Sequence, residues 1–398
     1  MTAADPADRA WAPVLVAFAV AVLGAVPQFL LGALSPLITA EGHLDLIAVA
    51  TAILVMNGAA AVASPTMGGL LARVGTTWGI RALVGLSALG GTALALGVPG
   101  RAGLLGVATL FGLSLAMSQP LANSILMARV APHRHGLAFG LKQAATPAAG
   151  LLAGLSLPAA SALLGWRACF GALAVTCALG LAASARSGHG GRPVRPRREQ
   201  RGSDPRGWPR GSWPRLLMWT GAAGLGSAAF VSTATSVVSL AVSAGASLAS
   251  AGLLLTLVSA ASVVGRIGAG IVVDRRRIDS LRLVEVLMLA GGACVAALLV
   301  ARAAPAGFVV LAVLMGLSAW SWNGLFHHGV ATSFRERALQ ATGQTQVGLF
   351  GGAAVGPLLF AVVAERTTAE FAWLGCGLAL AFAAGLIRLG RALRAPSA

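Results

Sequence analysis

Tyrosine is absent from this 398-residue chain, and lysine occurs once, at position 142. Acidic residues number only 12, and charged residues of both signs make up 10% of the sequence, where a soluble domain carries about 25%. The four cysteines, Cys169, Cys177, Cys294 and Cys376, fall inside apolar runs with no Cys-x-x-Cys spacing. Each scarcity excludes something. Isolated cysteines of this kind rule out a disulfide framework or thiolate metal site and read as small apolar side chains. The apolar runs also lack clustered His, Asp and Glu, so no metal, no cofactor and no enzyme of the membrane-hydrolase type is expected. Without tyrosine, nine tryptophans must supply any interfacial aromatic belt.

What the chain has in abundance is apolar sequence, with 57% hydrophobic residues and a mean hydropathy of +0.82. The net charge of +17 raises the possibility of nucleic acid. The arginines, however, alternate with long apolar spans instead of forming one basic face, which excludes that partner. Runs of about the ~20 residues needed to cross a bilayer cover 14–38, 46–71, 79–98, 102–129, 136–162 and 167–186. They resume at 215–242, 249–273, 281–302, 307–332, 339–364 and 370–393. The runs are continuously apolar without a period of two, so they predict helices and not barrel strands. Arg9 precedes a first span long enough to remain in the bilayer, and no cleaved signal is expected.

Placing the first residue in the cytoplasm puts 23 of the 29 Lys and Arg on that side and four outside, Arg101, Arg167, Arg302 and Arg366. That bias predicts cytoplasmic termini. Residues 187–214 carry seven arginines among glycines and prolines and read as a flexible cytoplasmic linker touching anionic headgroups. The two sets of six spans echo each other at an offset of about 202 residues. Gly68-Gly-Leu-Leu-Ala-Arg73 follows the second span, and Gly270-Ile-Val-Val-Asp274-Arg275 follows the eighth. Ala138-Phe-Gly140-Leu-Lys142-Gln143 pairs with Ala341-Thr-Gly343-Gln-Thr345-Gln346, as in a duplicated unit.

Twelve spans, a basic central loop and Gly270-x-x-x-Asp274-Arg275 resemble the major facilitator superfamily. The resemblance implies an all-α membrane protein of two pseudo-symmetric six-helix bundles, residues 1–186 and 215–398, joined by 187–214. It implies a cavity lined by helices 1, 4, 7 and 10, a seam of helices 2, 5, 8 and 11, and lipid-facing helices 3, 6, 9 and 12. It further implies alternating access, with Asp274 capping the start of helix 5 near His135 and Gly136. Gly68 and Arg73 of the first copy, with Gly270 and Arg275 of the second, complete the gating set. Ala72 stands at the acidic position of the first copy, so one of the two latches is missing.

Two cations lie within spans. Arg266 sits eight residues before Asp274, about 12 Å along a helix at 1.5 Å per residue. Arg266-x-x-x-Gly270 resembles helix 8 of monocarboxylate transporters and oxalate/formate exchangers, where the matching arginine binds carboxylate, although Ser262 replaces the aspartate of the monocarboxylate pattern. Lys142 stands at similar depth in helix 5, across the expected seam. An intramembrane ionisable group marks a functional site by default, while a lysine near a helix end also snorkels to the interface. Two unpaired cations at one depth, with no carboxylate in any span core, predict an anion between them. Gln28, Asn57, Gln119, Asn123, Gln143, Trp320, Asn323 and His327 are the further candidates for the solute site, with the helix 10 cluster either stacking solute or anchoring the helix end.

The expectation is therefore a monomeric secondary transporter for a small organic anion, with a proton or a counter-anion as the candidate coupling partner. The alternative is proton-coupled efflux of a drug-like compound or metabolite. Against it, Thr146 precedes Pro147 where the antiporter motif has glycine, and helix 4 carries no charge before Arg129. Arginine in place of lysine, with abundant alanine and glycine, suggests a GC-rich bacterial genome and thus a bacterial cytoplasmic membrane.

Overall fold

The computed structural model describes residues 6–41, 43–97, 100–130, 138, 141–160, 162, 165–186, 212–276, 278–301, 304–334 and 338–393. The described helices group into twelve. The first half contains α1 (Pro6–Ala33, resuming as Ser35–Ala40), α2 (Leu46–Val74), α3 (Thr76–Leu96), α4 (Gly100–Arg129), α5 (Ala145–Ala159) and α6 (Gly165–Arg186). The second contains α7 (Ser212–Ser243), α8 (Leu248–Arg276), α9 (Ser280–Val300), α10 (Pro305–Ser318 and Asn323–Ser333), α11 (Ala338–Arg366) and α12 (Ala369–Ala392). Eleven are long and apolar enough to span a bilayer. The exception, α5, has 15 residues and is preceded by three helical residues at 141–143. Residues 187–211 of the expected linker lie outside the described residues. Residues 212–214, also assigned to the linker, instead open α7, because Pro214 falls in a first turn where its missing N–H costs nothing.

Local sequence sets the helix ends. Asp45 caps α2 by accepting from the Ala48 amide at 2.7 Å, and Asp279 caps α9 by accepting from Leu281 at 3.0 Å. Gly75 ends α2 and opens α3 at φ +84°, a backbone that side-chain-bearing residues rarely adopt. This turn explains the glycine two residues beyond Arg73 of the first loop motif.

In hydrocarbon the usual burial logic inverts, and large apolar side chains face outward. Leu89, Val175, Leu179, Val286, Leu289, Leu378 and Phe382 on α3, α6, α9 and α12 are exposed. The most apolar window is 67% buried in both α1 and α7, against 28% in α6 and 33% in α9. Across the halves, α5 packs on α8, α2 on α11 and α1 against α7. Small residues permit this closeness, as expected where lipid offers no hydrophobic gain for helix association. At Gly154 an added Cβ would lie 2.5 Å from both Gly252 O and Thr256 Oγ1 of α8, so the two backbones touch there.

Charges gather at the two ends. On the face bearing both termini, Arg391 of α12 pairs with Asp279 at 2.9 Å and Glu285 at 2.6 Å. Arg215 lies over Trp219 at 4.5 Å, tying α7 to the end of α10 through Phe334. On the opposite face Arg101 pairs with Asp45, and Arg167 with Glu41 at 2.8 Å. A cavity of about 850 Å³ opens there between α1 and α7, lined among others by Ser35, Thr39, His43, Asp45, Arg101 and Ser239. This cavity is remote from the intramembrane cations.

Replacing Gly154 by leucine is expected to wedge α5 from α8 and cost about 1–3 kcal/mol, the usual penalty of overpacking. Gly270→Ala, whose Cβ would meet open space, serves as the neutral control. Thermal unfolding in detergent checks both. An unchanged midpoint for Gly154→Leu would show that the seam is looser than described.

Candidate functional site

Two backbone carbonyls in the membrane interior lose their helical partners, one to a proline and the other to a break in a helix. The Gln143 carbonyl would accept from the amide of residue 147, but Pro147 has none. The second belongs to Trp320. Here α10, expected as one run over 307–332, breaks after Ser318 and resumes at Asn323. The Ser321 hydroxyl, 2.9 Å from Gly316 O and 3.2 Å from Ser262 O, competes with the ladder at this break.

Arg266 takes both carbonyls. Its Nε and Nη2 donate to Trp320 O at 3.1 and 2.8 Å, and its Nη1 donates to Gln143 O at 2.9 Å. Ser262, one turn earlier on α8, adds a third donor to Trp320 O at 2.9 Å. The serine that replaces an expected carboxylate thus helps hold the break in α10. Gly265 allows the approach, since a Cβ there would lie 2.6 Å from Leu317 O.

Lys142 is 5% exposed, just ahead of the turn at Ala144. Its ammonium donates to Asn123 Oδ1 of α4 at 2.9 Å. The expected pair of unpartnered cations is therefore corrected, because each has found neutral oxygens. Their proximity holds, since Arg266 bonds the residue adjacent to Lys142. His327 of α10 lies near enough to feel both charges, and its Nε2 is 3.4 Å from Gln346 Nε2 of α11. Lys142, Asn123, Gln143, Arg266, His327 and Gln346 thus come together from both halves.

The other candidates are more enclosed. Asn57 spends its amide on Gln28 Oε1 at 2.8 Å and Ile53 O at 2.9 Å, so the Gln28–Asn57 pair is internally satisfied. Trp320 is 1% exposed, donates to Thr233 Oγ1 at 3.0 Å and meets Phe230 edge-on at 5.6 Å. Phe230 in turn meets Phe29 at 6.4 Å, so an aromatic column from α1, α7 and α10 occupies the midline. The stacking surface expected of Trp320 is thus covered in this conformation. Asn323 keeps a buried Oδ1 without a partner, and Gln119 lies half-buried on α4.

Of the gating set, Arg73 and Arg275 are exposed at helix ends, and Gly270 faces open space. The surroundings of Gly68, the side chain of Asp274, and residues 135–136 lie outside what the structure describes. Sequence reasoning missed Gln346, Thr233 and Ser262. The echo of Lys142-Gln143 with Thr345-Gln346 was the available signal for Gln346.

Such an arrangement of paired bundles with polar groups at the midline defines a polytopic carrier fold. The model of the Major Facilitator Superfamily matches residues 16–357, and the chain belongs to that family. No curated protein sequence matches it. The fold is similar to a mutant of the nucleoside transporter NupG, with a TM-score of 0.74, 13% identity, and coverage of 96% of this chain and 99% of that one. It is also similar to a D-xylose-proton symporter, with a TM-score of 0.71, 16% identity, and coverage of 94% and 96%.

Thr233→Val leaves the buried Trp320 indole N–H unpaired and is expected to cost about 1–3 kcal/mol. Trp320→Phe in the same background removes the orphaned donor, so the two changes together should cost less than their sum. Thermal melts of the four proteins measure this coupling, and strict additivity would deny the bond.

Proposed function

We propose that the protein is a secondary active transporter that carries a small organic anion through a cytoplasmic membrane by alternating access. Membership of the superfamily and the seam of α5 on α8, α2 on α11 and α1 against α7 support the transport reading. One observation carries the solute class. Lys142, Arg266 and His327 share the interior, while every described Asp and Glu lies toward a helix end or in a loop. An anion is the missing counter-charge.

The two cations divide the work. Arg266 is committed to carbonyls, so Lys142 is the charge that turns to a solute. Its partner at Asn123 is a neutral, exchangeable oxygen, and a carboxylate offers a stronger, oppositely charged one. Gln143, Gln346 and His327 are the further polar contacts proposed for the solute. Anionic lipid at the basic linker is a further expected partner.

Purified protein in proteoliposomes should take up labelled monocarboxylates or oxalate. Lys142→Gln is expected to lower that uptake at least about tenfold, the scale of one lost charge-assisted bond. Lys142→Arg, which keeps the charge, should retain part of it. Full uptake by Lys142→Gln would remove the anion reading and leave a neutral or cationic solute.

A further inference from the structure

The intramembrane arginine invites assignment as a solute ligand, yet its geometry describes something else. Its three described bonds go to main-chain oxygens, two at Trp320 and one at Gln143. Both oxygens lack a helical amide partner, one because of Pro147 and the other because of the break in α10. They belong to opposite halves. Satisfying a carbonyl in hydrocarbon is close to obligatory, and a planar guanidinium holds its donors in a rigid fork that spans two well-separated acceptors, where the three donors of an ammonium radiate from a single atom.

The position along the seam adds to this. Toward the opposite face, α5 and α8 meet through backbone at Gly154 and Gly252, and Gly150 approaches Ser259. Toward the terminal face, where α5 begins, the reach from α8 to Gln143 is made by the long Arg266 side chain.

We propose that Arg266 is a positioning residue that latches the seam: it ties the start of α5 to the break in α10 through the carbonyls of Gln143 and Trp320. In doing so it fixes the turn that presents Lys142 and the segment that presents Asn323 and His327. The bond to Gln143 restrains the two halves from parting at the terminal face, and opening that face lengthens or breaks it. Pro147 is the second part of the latch, because it keeps the Gln143 carbonyl available. The inference rests on the alternating-access reading for its meaning in transport, but the latch itself is independent of any solute.

The test uses the full chain in nanodiscs, with the four cysteines replaced and spin labels at exposed positions 129 on α4 and 276 on α8. Distances are read by pulsed electron resonance without solute. Pro147→Ala supplies an amide that competes for Gln143 O, and Arg266→Lys keeps the charge but loses the fork. Each is expected to raise the ratio of separated to joined forms about tenfold, the scale of one hydrogen bond to a charged group. The double variant should shift the ratio no further than the larger single change. Unchanged distances in Pro147→Ala, or shifts that simply add, would overturn the latch. Pro147→Ala alone carries the test if Arg266→Lys does not fold. A protein that transports no anion but shows the coupled shift would leave the latch standing and remove only the solute assignment.

Discussion

A carbonyl without an amide partner cannot be left in hydrocarbon, and much of the interior of this protein follows from that constraint. Pro147 releases one such oxygen and the break at residues 319–322 releases another. One guanidinium on α8 meets both. The break in turn sets where Trp320 sits, and Trp320 closes an aromatic column with Phe230 and Phe29 across the midline. A structural demand in the backbone thereby fixes the boundary of the polar compartment.

The second constraint is charge. A buried ammonium and guanidinium with no carboxylate beside them are costly unless neutral oxygens or an external anion complete them. Asn123 and two main-chain carbonyls make the empty state tolerable. They do so without cancelling the charge, and the compartment stays electropositive. Carboxylates elsewhere are bound to arginines at the two faces, as in Arg391 with Asp279 and Glu285 or Arg167 with Glu41. This separation of the described acids from the interior is what supports the proposal that the interior selects its solute by sign.

Much of the fold was legible in sequence because lipid enforces length and continuity: twelve apolar runs became twelve helices. The linker was drawn three residues too long because Pro214 looks like a breaker yet sits in a first turn. Interruption of α10 was not legible, since Ala319-Trp320-Ser321-Trp322 holds neither glycine nor proline, and the two serines that hold it act through tertiary contacts. The partners of Arg266 were hidden for a different reason. They are main-chain atoms with no residue signature, and only Pro147 hinted that Gln143 would have an oxygen to spare. Lys142 was conspicuous as the single lysine, but its bond to Asn123 joins helices whose register sequence alone does not give.

The sign of the interior is the central claim, and it is tested most directly by paired solutes that differ only in charge. Uptake into proteoliposomes of lactate against lactamide, and of oxalate against oxamide, compares solutes of nearly equal size. Uptake of the acids alone is the predicted result. Equal or preferred uptake of the amides would contradict an electropositive site that selects its solute by charge.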